Sequence, residues 1–191
     1  STELMEQAGI KVFEWIIANV HVENTVFTIF CGIGNNGGDG LVVARKLLEA
    51  NYKIKTFIVN FSNNRSSDFQ INLDLLEKLD HIPIELNEID NFPKLTNHDI
   101  IIDALFGVGI SRSPKGFVKE IIKRINALKI TVVSIDLPSG LFPESPIMDA
   151  ESVVKADYTL SFQNPKLALF LVENKDYCTN WILLDIGLDK S

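Results

Sequence analysis

The 191 residues, 46% of them hydrophobic and 23% charged, are enough for one domain with a sizeable core and exclude a disordered chain. The net charge of -7 disfavours nucleic acid as a partner, because binding to a phosphate backbone needs a basic face. No apolar stretch reaches the length of a membrane span and the start has no signal-peptide pattern, so we expect no membrane partner. We predict a single domain over residues 1–191.

The chain opens on a predicted helix. Apolar residues recur at helical spacing from Leu4 to Ile17, so the helix is already under way at the first residues. Because the chain also starts with Ser rather than Met, we expect a trimmed start or a fragment of a longer protein.

From residue 25 onward, strand patterns alternate with helix patterns. We predict helices over residues 38–50, 68–79 and 115–128, and strands over residues 25–31, 53–59, 82–86, 99–105, 130–137, 158–162 and 181–185. Near-continuous Ile and Val runs separated by helices are typical of parallel strands that are buried on both faces. The predicted fold is therefore α/β, with a mainly parallel sheet between layers of helices.

Residues 31–40 are the most informative segment: Cys-Gly-Ile-Gly-Asn-Asn-Gly-Gly-Asp-Gly, with five glycines in ten residues. A strand, a glycine turn and a helix amino terminus can present backbone N–H groups and the helix dipole to an anion. Asn35, Asn36 and Asp39 are not needed for a generic phosphate turn and make the segment more specific. As an alternative, the asparagines are turn residues and Asp39 caps a helix that begins near Gly40.

Polar residues follow two further predicted strands. Asp103 precedes the glycine-bearing loop 107–113, and Asp136 begins the segment Asp-Leu-Pro-Ser-Gly, which contains Ser139. Ligands bind outside the carboxyl ends of parallel strands, so these residues are predicted to converge with residues 35–39. Either acid alone is equally well interpreted as a turn or capping residue. Both acids beside a glycine turn favour a functional site.

Three cations near these segments have ordinary surface interpretations. We predict a surface position for Arg45 and a solvated side chain within reach of a phosphate for Arg112. For Lys166 we predict a solvent-exposed side chain, with a side chain that points into the cleft as the alternative.

Several other site types are disfavoured. The glycine turn has no Lys-Ser/Thr pair of a P-loop, and the second strand ends without the acid that binds ribose in nucleotide-dependent dehydrogenases. No histidine follows a nucleophile-elbow serine, and the three histidines share no zinc-ligand spacing. Cys31 and Cys178 are predicted to be buried thiols in a reducing compartment, which indicates a cytoplasmic protein.

Three segments together resemble the YjeF amino-terminal domain family, the NAD(P)H-hydrate epimerases. They are residues 34–45 (Gly-Asn-Asn-Gly-Gly-Asp-Gly-Leu-Val-Val-Ala-Arg), 103–109 (Asp-Ala-Leu-Phe-Gly-Val-Gly) and 134–140 (Ser-Ile-Asp-Leu-Pro-Ser-Gly). The resemblance implies a Rossmann-like three-layer α/β/α sandwich that interconverts the R and S forms of hydrated NADH and NADPH. It also implies a dehydratase, separate or fused, that repairs the S form, and a homodimer.

The resemblance further implies which residues form the site. Contacts with the substrate are expected from Asn35, Asn36, Gly37, Gly38, Asp39, Gly107, Val108, Gly109, Ile110, Ser111, Arg112, Ser113 and Asp136. A potassium ion is expected on Asn36, Asp103 and Ser139, whose oxygen atoms suit a hard cation.

Asp103 and Asp136 are the candidate catalytic carboxylates. Protonation of the ring hydroxyl would let the nitrogen lone pair expel water, and water returning to the other face of the planar iminium would invert the centre. A cation on Asp103 would leave Asp136 as the stronger candidate for proton transfer. The alternative function is a non-catalytic nucleotide- or protein-binding module of the same fold. Replacement of Gly37 or Gly38 by Val is expected to abolish substrate binding while the fold survives.

Overall fold

The computed structural model describes residues 2–21 and 23–187, along which four α-helices and seven β-strands are formed. The helices are α1 (Thr2–Asn19), α2 (Asn35–Glu49), α3 (Ser67–Glu77) and α4 (Gly116–Ala127). The strands are β1 (Val26–Cys31), β2 (Lys53–Val59), β3 (Ile84–Leu86), β4 (Asp99–Ala104), β5 (Val132–Ile135), β6 (Ala156–Phe162) and β7 (Cys178–Leu184). Short 3₁₀ turns cover Ile89–Asn91, Ala150–Ser152, Leu167–Phe170 and Val172–Asn174, which the sequence patterns did not predict.

The strands form one sheet in the order β3-β2-β1-β4-β5-β6-β7, and every neighbouring pair is parallel. The chain builds β1 to β3 outward in one direction and then continues from β4 on the other side of β1. The order of strands thus reverses between β1 and β4, and such a switch point opens a crevice at the carboxyl ends of the strands. The predicted parallel α/β fold is confirmed.

Helices cover both faces of the sheet because the side chains of each strand alternate between two apolar clusters. Phe27 and Ile29 of β1 pack with residues of α1, α2 and α3, whereas Phe30 packs with residues of α4. On β4, Ile102 packs in the same cluster as Phe27 and Ile29, and Ile101 packs in the same cluster as Phe30. This arrangement gives the three layers that were predicted.

Helix α2 begins earlier than predicted, at Asn35 rather than at residue 38. Asp39 therefore lies inside the helix, and the alternative in which it caps a helix near Gly40 is wrong. Glycine is a poor helix former, which is why the pattern misplaced this start. Tertiary packing decides otherwise: a Cβ on Gly37 would lie 1.9 Å from the carbonyl oxygen of Gly32, so α2 approaches β1 too closely for any side chain there.

The prediction for Arg45 is also wrong, because its side chain is buried. It pairs with Glu6 of α1, and its Nη1 lies 3.6 Å from Oε1 of Glu49. The pairing joins residues 39 positions apart, which no local pattern reveals.

Both cysteines are buried and unpaired, as predicted. Among the residues that the structure describes, none of the helices has the length and apolar character needed to cross a membrane.

Candidate functional site

A cavity of about 820 Å³ lies at the carboxyl ends of β1, β4 and β5. Its volume is within the range of small-molecule sites. The walls come from the amino terminus of α2, from two residues after β2, from the loop after β4, and from the residue that follows β5. The lining residues are Ile33, Gly34, Asn35, Asn36, Asp39, Phe61, Asn64, residues 105–115, Val118 and Asp136.

The amino terminus of α2 supplies unpaired backbone donors to this cavity. Gly34 is the N-cap and has no side chain to accept a hydrogen bond, and the first bond within the helix is donated by the N–H of Gly38 to the carbonyl of Gly34 (3.1 Å). Asn36 lies in this first turn, and its Nδ2 atom is buried without a partner in the described chain. The wall therefore offers a positive helix end and an uncommitted amide donor to a ligand.

Asp39 lies three residues after Asn36, and both line the cavity, so one face of α2 presents an amide and then a carboxyl group to it. Within the described chain, neither a hydrogen-bond donor nor a cation contacts the carboxyl group of Asp39. Burial, and then the negative charges of Asp136 and Asp68, raise the pKa of Asp39 well above its ordinary value. This acid is thus adapted to carry a proton.

Asp136 follows β5 in the left-handed backbone conformation, with φ of 67°. Asp tolerates this conformation better than most residues. Its Oδ2 accepts a hydrogen bond from the N–H of Val108 (3.2 Å), and its Oδ1 lies 2.6 Å from Nζ of Lys166. A Cβ on Gly107 would lie 3.0 Å from Oδ2 of Asp136 and 3.1 Å from Oδ1 of Asn36. Gly107 therefore lies between the carboxylate of Asp136, which follows β5, and the side-chain amide of Asn36 in α2.

Lys166 is not the solvent-exposed lysine that was predicted. Its side chain is 15% exposed, and besides the ion pair with Asp136 it donates to Oγ of Ser161 (2.9 Å) and to the carbonyl of Phe162 (3.0 Å). All three ammonium protons thus have acceptors. The lysine fixes one oxygen of Asp136 from behind the cavity.

Asp103 and Ser139 form a buried network beside the cavity rather than part of its lining. Ser134 Oγ (2.7 Å) and the Ser139 N–H (2.9 Å) donate to Oδ2 of Asp103, while Ser139 Oγ (2.5 Å) and the Leu105 N–H (3.3 Å) donate to Oδ1. Burial raises the pKa of Asp103, and these hydrogen bonds oppose the change. Ser139 Oγ also accepts from the N–H of Phe106 (2.8 Å), so the pair ties β4 and β5 to the cavity loop.

The predicted site residues are thus divided between lining and support. The cavity is lined by Asn35, Asn36, Asp39, Gly107, Val108, Gly109, Ile110, Ser111, Arg112, Ser113 and Asp136. Gly37, Gly38, Asp103 and Ser139 lie behind the wall. Sequence reasoning missed Phe61, Asn64, Phe106 and Lys115, and it favoured solvent for Lys166. The signal for Phe61 and Asn64 was their position just after the second strand, at the edge of the sheet where ligands bind.

Residues 1–168 match the family described as YjeF-related protein N-terminus. The chain belongs to this family. Among curated members, it is 35% identical over 191 residues to the NAD(P)H-hydrate epimerase of Anaerococcus prevotii, covering 97% of this chain and 84% of that one. It is 33% identical over 194 residues to the bifunctional NAD(P)H-hydrate repair enzyme Nnr of Moorella thermoacetica, covering 98% of this chain.

The chain spans 36% of the length of that bifunctional relative. The crystal structure of the yeast protein ynu0 has the same fold, with a TM-score of 0.77 at 23% identity over 91% of this chain and 75% of that chain. The family and the fold are thus established by independent similarities of sequence and structure.

Proposed function

We propose that this protein is an NAD(P)H-hydrate epimerase, which interconverts the R and S forms of hydrated NADH and NADPH. The observation that carries the proposal is the position of Asp136: an acid held in a cavity at the sheet's switch point, beside a helix amino terminus and a glycine loop. The names of the relatives at 32–35% identity support the same activity.

The cavity suits a dinucleotide in its charge and in its apolar surface. The substrate's diphosphate would meet the amino terminus of α2 and the cations Arg112 and Lys115 on the loop before α4. Phe61 is 39% exposed, and its ring centroid lies 4.8 Å from that of Phe106, with an angle of 39° between the rings, so the exposed Phe61 ring offers an aromatic face to a base.

Asp136 would move the proton at the hydrated ring carbon. Its carboxylate is held at Oδ1 by Lys166 and at Oδ2 by the N–H of Val108, so little reorganisation is needed when a substrate hydroxyl or a water approaches. The left-handed backbone directs this side chain into the cavity, and Asn tolerates that conformation equally well.

A potassium ion on Asn36, Asp103 and Ser139 remains part of this proposal. The donor set suits the ion chemically, because it consists of oxygen atoms: Oδ1 of Asn36 in the first turn of α2, a carboxylate oxygen of Asp103 in β4 and Oγ of Ser139 after β5. When bound, potassium would supply positive charge beside Asp103. Asp103 and Ser139 hold the loop after β4 in place through their hydrogen bonds with Leu105 and Phe106.

The proposal is tested by mixing the purified protein with one separated epimer and following the appearance of the other, with and without potassium. Wild-type protein should equilibrate the epimers, and Asp136→Asn should lower kcat by about 100-fold or more. A non-catalytic binding module would bind NADP or ADP-ribose without epimerisation. Undiminished rates in Asp136→Asn would remove Asp136 from the mechanism.

A dehydratase partner, a homodimer and a cytoplasmic location belong to this proposal as expectations. The bifunctional relatives support the first, and two buried free thiols agree with a reducing compartment. Size-exclusion chromatography with light scattering tests the homodimer.

A further inference from the structure

We propose that Asp39 is the second acid–base residue of the epimerase, acting on the substrate together with Asp136. This inference rests on the proposed function and assigns to Asp39 a proton-transfer role in place of a binding contact. It also changes the candidate pair of carboxylates from Asp103 and Asp136 to Asp39 and Asp136.

The first ground is access to the substrate. An inversion that passes through a planar intermediate needs a group that protonates the departing hydroxyl and a group that deprotonates the arriving water. Asp39 and Asp136 both line the cavity, one from α2 and the other from the end of β5. Asp103 does not line it, and both of its oxygens accept hydrogen bonds from protein donors.

The second ground is the contrast between the two carboxyl groups. Asp136 is paired with the Lys166 ammonium at 2.6 Å, whereas no cation contacts Asp39 in the described chain. Two charged groups near Asp39 are already paired: Glu6 of α1 with Arg45, and Arg65, just before α3, with Glu85. Arg112 and Lys115 line the same cavity from the segment before α4 without an ion pair to Asp39. Asp68 at the start of α3 adds negative charge.

These surroundings raise the pKa of Asp39, first through burial and then through the charges of Asp136 and Asp68. Two acids of one site whose environments differ in this way are suited to begin a reaction in opposite protonation states. Asp39 would begin as the acid and Asp136 as the base.

Asp39 gives its proton to the ring hydroxyl, the C–O bond breaks, and the nitrogen lone pair forms the C=N bond of the iminium as water leaves. A solvent water then adds to the other face, its lone pair forms the new C–O bond, and the C=N electrons return to nitrogen. Asp136 accepts the proton of that water. One proton has moved from Asp39 to Asp136, and exchange with solvent or turnover in the reverse direction restores the initial state.

The test compares Asp39→Asn with wild-type protein. We expect kcat to fall about 100-fold or more, while KM and the Kd for NADP stay within threefold. The loss of activity that we expect of the wild-type protein at high pH should be absent from the residual rate. In water enriched in oxygen-18, Asp39→Asn should exchange the hydroxyl oxygen of one epimer faster than it inverts that epimer, because Asp136 still serves one face.

The matched control is Asp68→Asn, which removes a neighbouring acid that does not line the cavity. Its kcat at the optimum pH should stay within threefold of wild type. The decrease of kcat at high pH (the alkaline limb of the pH profile) should begin at a lower pH, because a negative charge near Asp39 is gone and the pKa of Asp39 is raised less. This variant also keeps the test decisive if Asp39→Asn does not fold.

Three results would overturn the assignment of Asp39: a kcat of Asp39→Asn within threefold of wild type, a loss confined to KM, or an alkaline limb that Asp68→Asn leaves in place. Failure of the proposed function itself would look different, because wild-type protein would then leave both epimers unchanged.

Discussion

Lys166 links the catalytic candidate Asp136 to the end of β6. The sequence did not predict this pairing. Asp136 lies 30 positions earlier, and the local context of an Asn-Pro turn gives no sign of the pairing. A lysine with three protein acceptors holds its carboxylate partner in one orientation, which is the condition for efficient proton transfer. We therefore interpret the lysine as a positioning residue.

Replacing Lys166 by Met should therefore lower kcat by about tenfold or more and change KM little, because the Asp136 carboxylate loses an ion pair and a fixed orientation. Lys166→Arg should recover part of the rate, since it restores the charge. Steady-state kinetics of epimer interconversion measures both variants.

The matched control for this prediction is Lys175→Met, at an exposed lysine beyond the same turn. It should leave kcat unchanged. Equal rates for Lys166→Met and Lys175→Met would show that the ion pair does not position the acid.

Ser139 should matter for stability through its buried hydroxyl. It donates to Asp103 and accepts from the N–H of Phe106, so Ser139→Ala leaves a buried carboxylate oxygen and a backbone donor each short of one partner. We expect a loss of about 2 kcal/mol in the free energy of unfolding, measured by urea denaturation. Ser145→Ala, at a half-buried serine whose carbonyl rather than hydroxyl binds Asn174, should stay within about 0.5 kcal/mol.

At the scale of the element, α2 shows why a glycine-rich segment can be helical. The pattern of apolar residues placed its start at residue 38, since glycine is unfavourable in a helix and common in turns. The structure uses the missing side chains for packing: Gly38 adjoins Met5 of α1, Gly40 adjoins Ala104 of β4, and Gly37 adjoins the backbone of Gly32. These approaches join segments that are distant in sequence, so the composition pointed to the site but not to the helix boundary.

Gly37→Ala and Gly34→Ala make a matched pair for this interpretation. A Cβ on Gly37 would lie 1.9 Å from the carbonyl oxygen of Gly32, and backbone on both sides cannot yield cheaply, whereas no heavy atom lies within 4 Å of a Cβ on Gly34. We expect Gly37→Ala to lose about 3 kcal/mol or more and Gly34→Ala about 1 kcal/mol or less. Thermal unfolding followed by circular dichroism compares them.

The same geometry argues against survival of the fold with Val at residue 37, where the side chain would collide with the backbone of Gly32. At residue 38 a Cβ meets the flexible end of the Met5 side chain, so the expectation that Val there abolishes binding stays a prediction. Neither glycine lines the cavity. A Gly37→Ala protein with wild-type stability would contradict this account.

For the whole molecule, the sequence was sufficient to predict the layers, the parallel strands and the edge of the sheet where the site lies. Asp103 and Asp136 come at or after apolar runs that can be recognised as strands in a single sequence. The sequence did not predict which of these acids lines the cavity, because that depends on the loops that cover each strand end. Thus Asp103 and Asp136 look alike in sequence, yet Asp103 is fully buried and Asp136 lines the cavity.

The dependence of stability on pH offers a test of the whole fold that needs no substrate. The folded protein raises the pKa of Asp39 above the value in the unfolded chain, so the folded state binds more protons between those two values. Stability must then decrease as pH rises through that interval, and the effect is absent below the pKa of the unfolded chain.

Asp39→Asn should therefore unfold with a free energy higher than that of wild type by about 1 kcal/mol or more at pH 8, since each unit of pKa difference contributes about 1.4 kcal/mol. The difference should shrink towards zero as the pH falls to about 3.5, where the unfolded wild-type acid is protonated too. Acids whose pKa is lowered on folding, such as Asp99, cancel in this comparison because both proteins contain them. Urea denaturation across the pH range measures the difference, and a gap that widened at low pH would mean that Asp39 is stabilised in its charged form, so that the cavity holds a base there and not an acid.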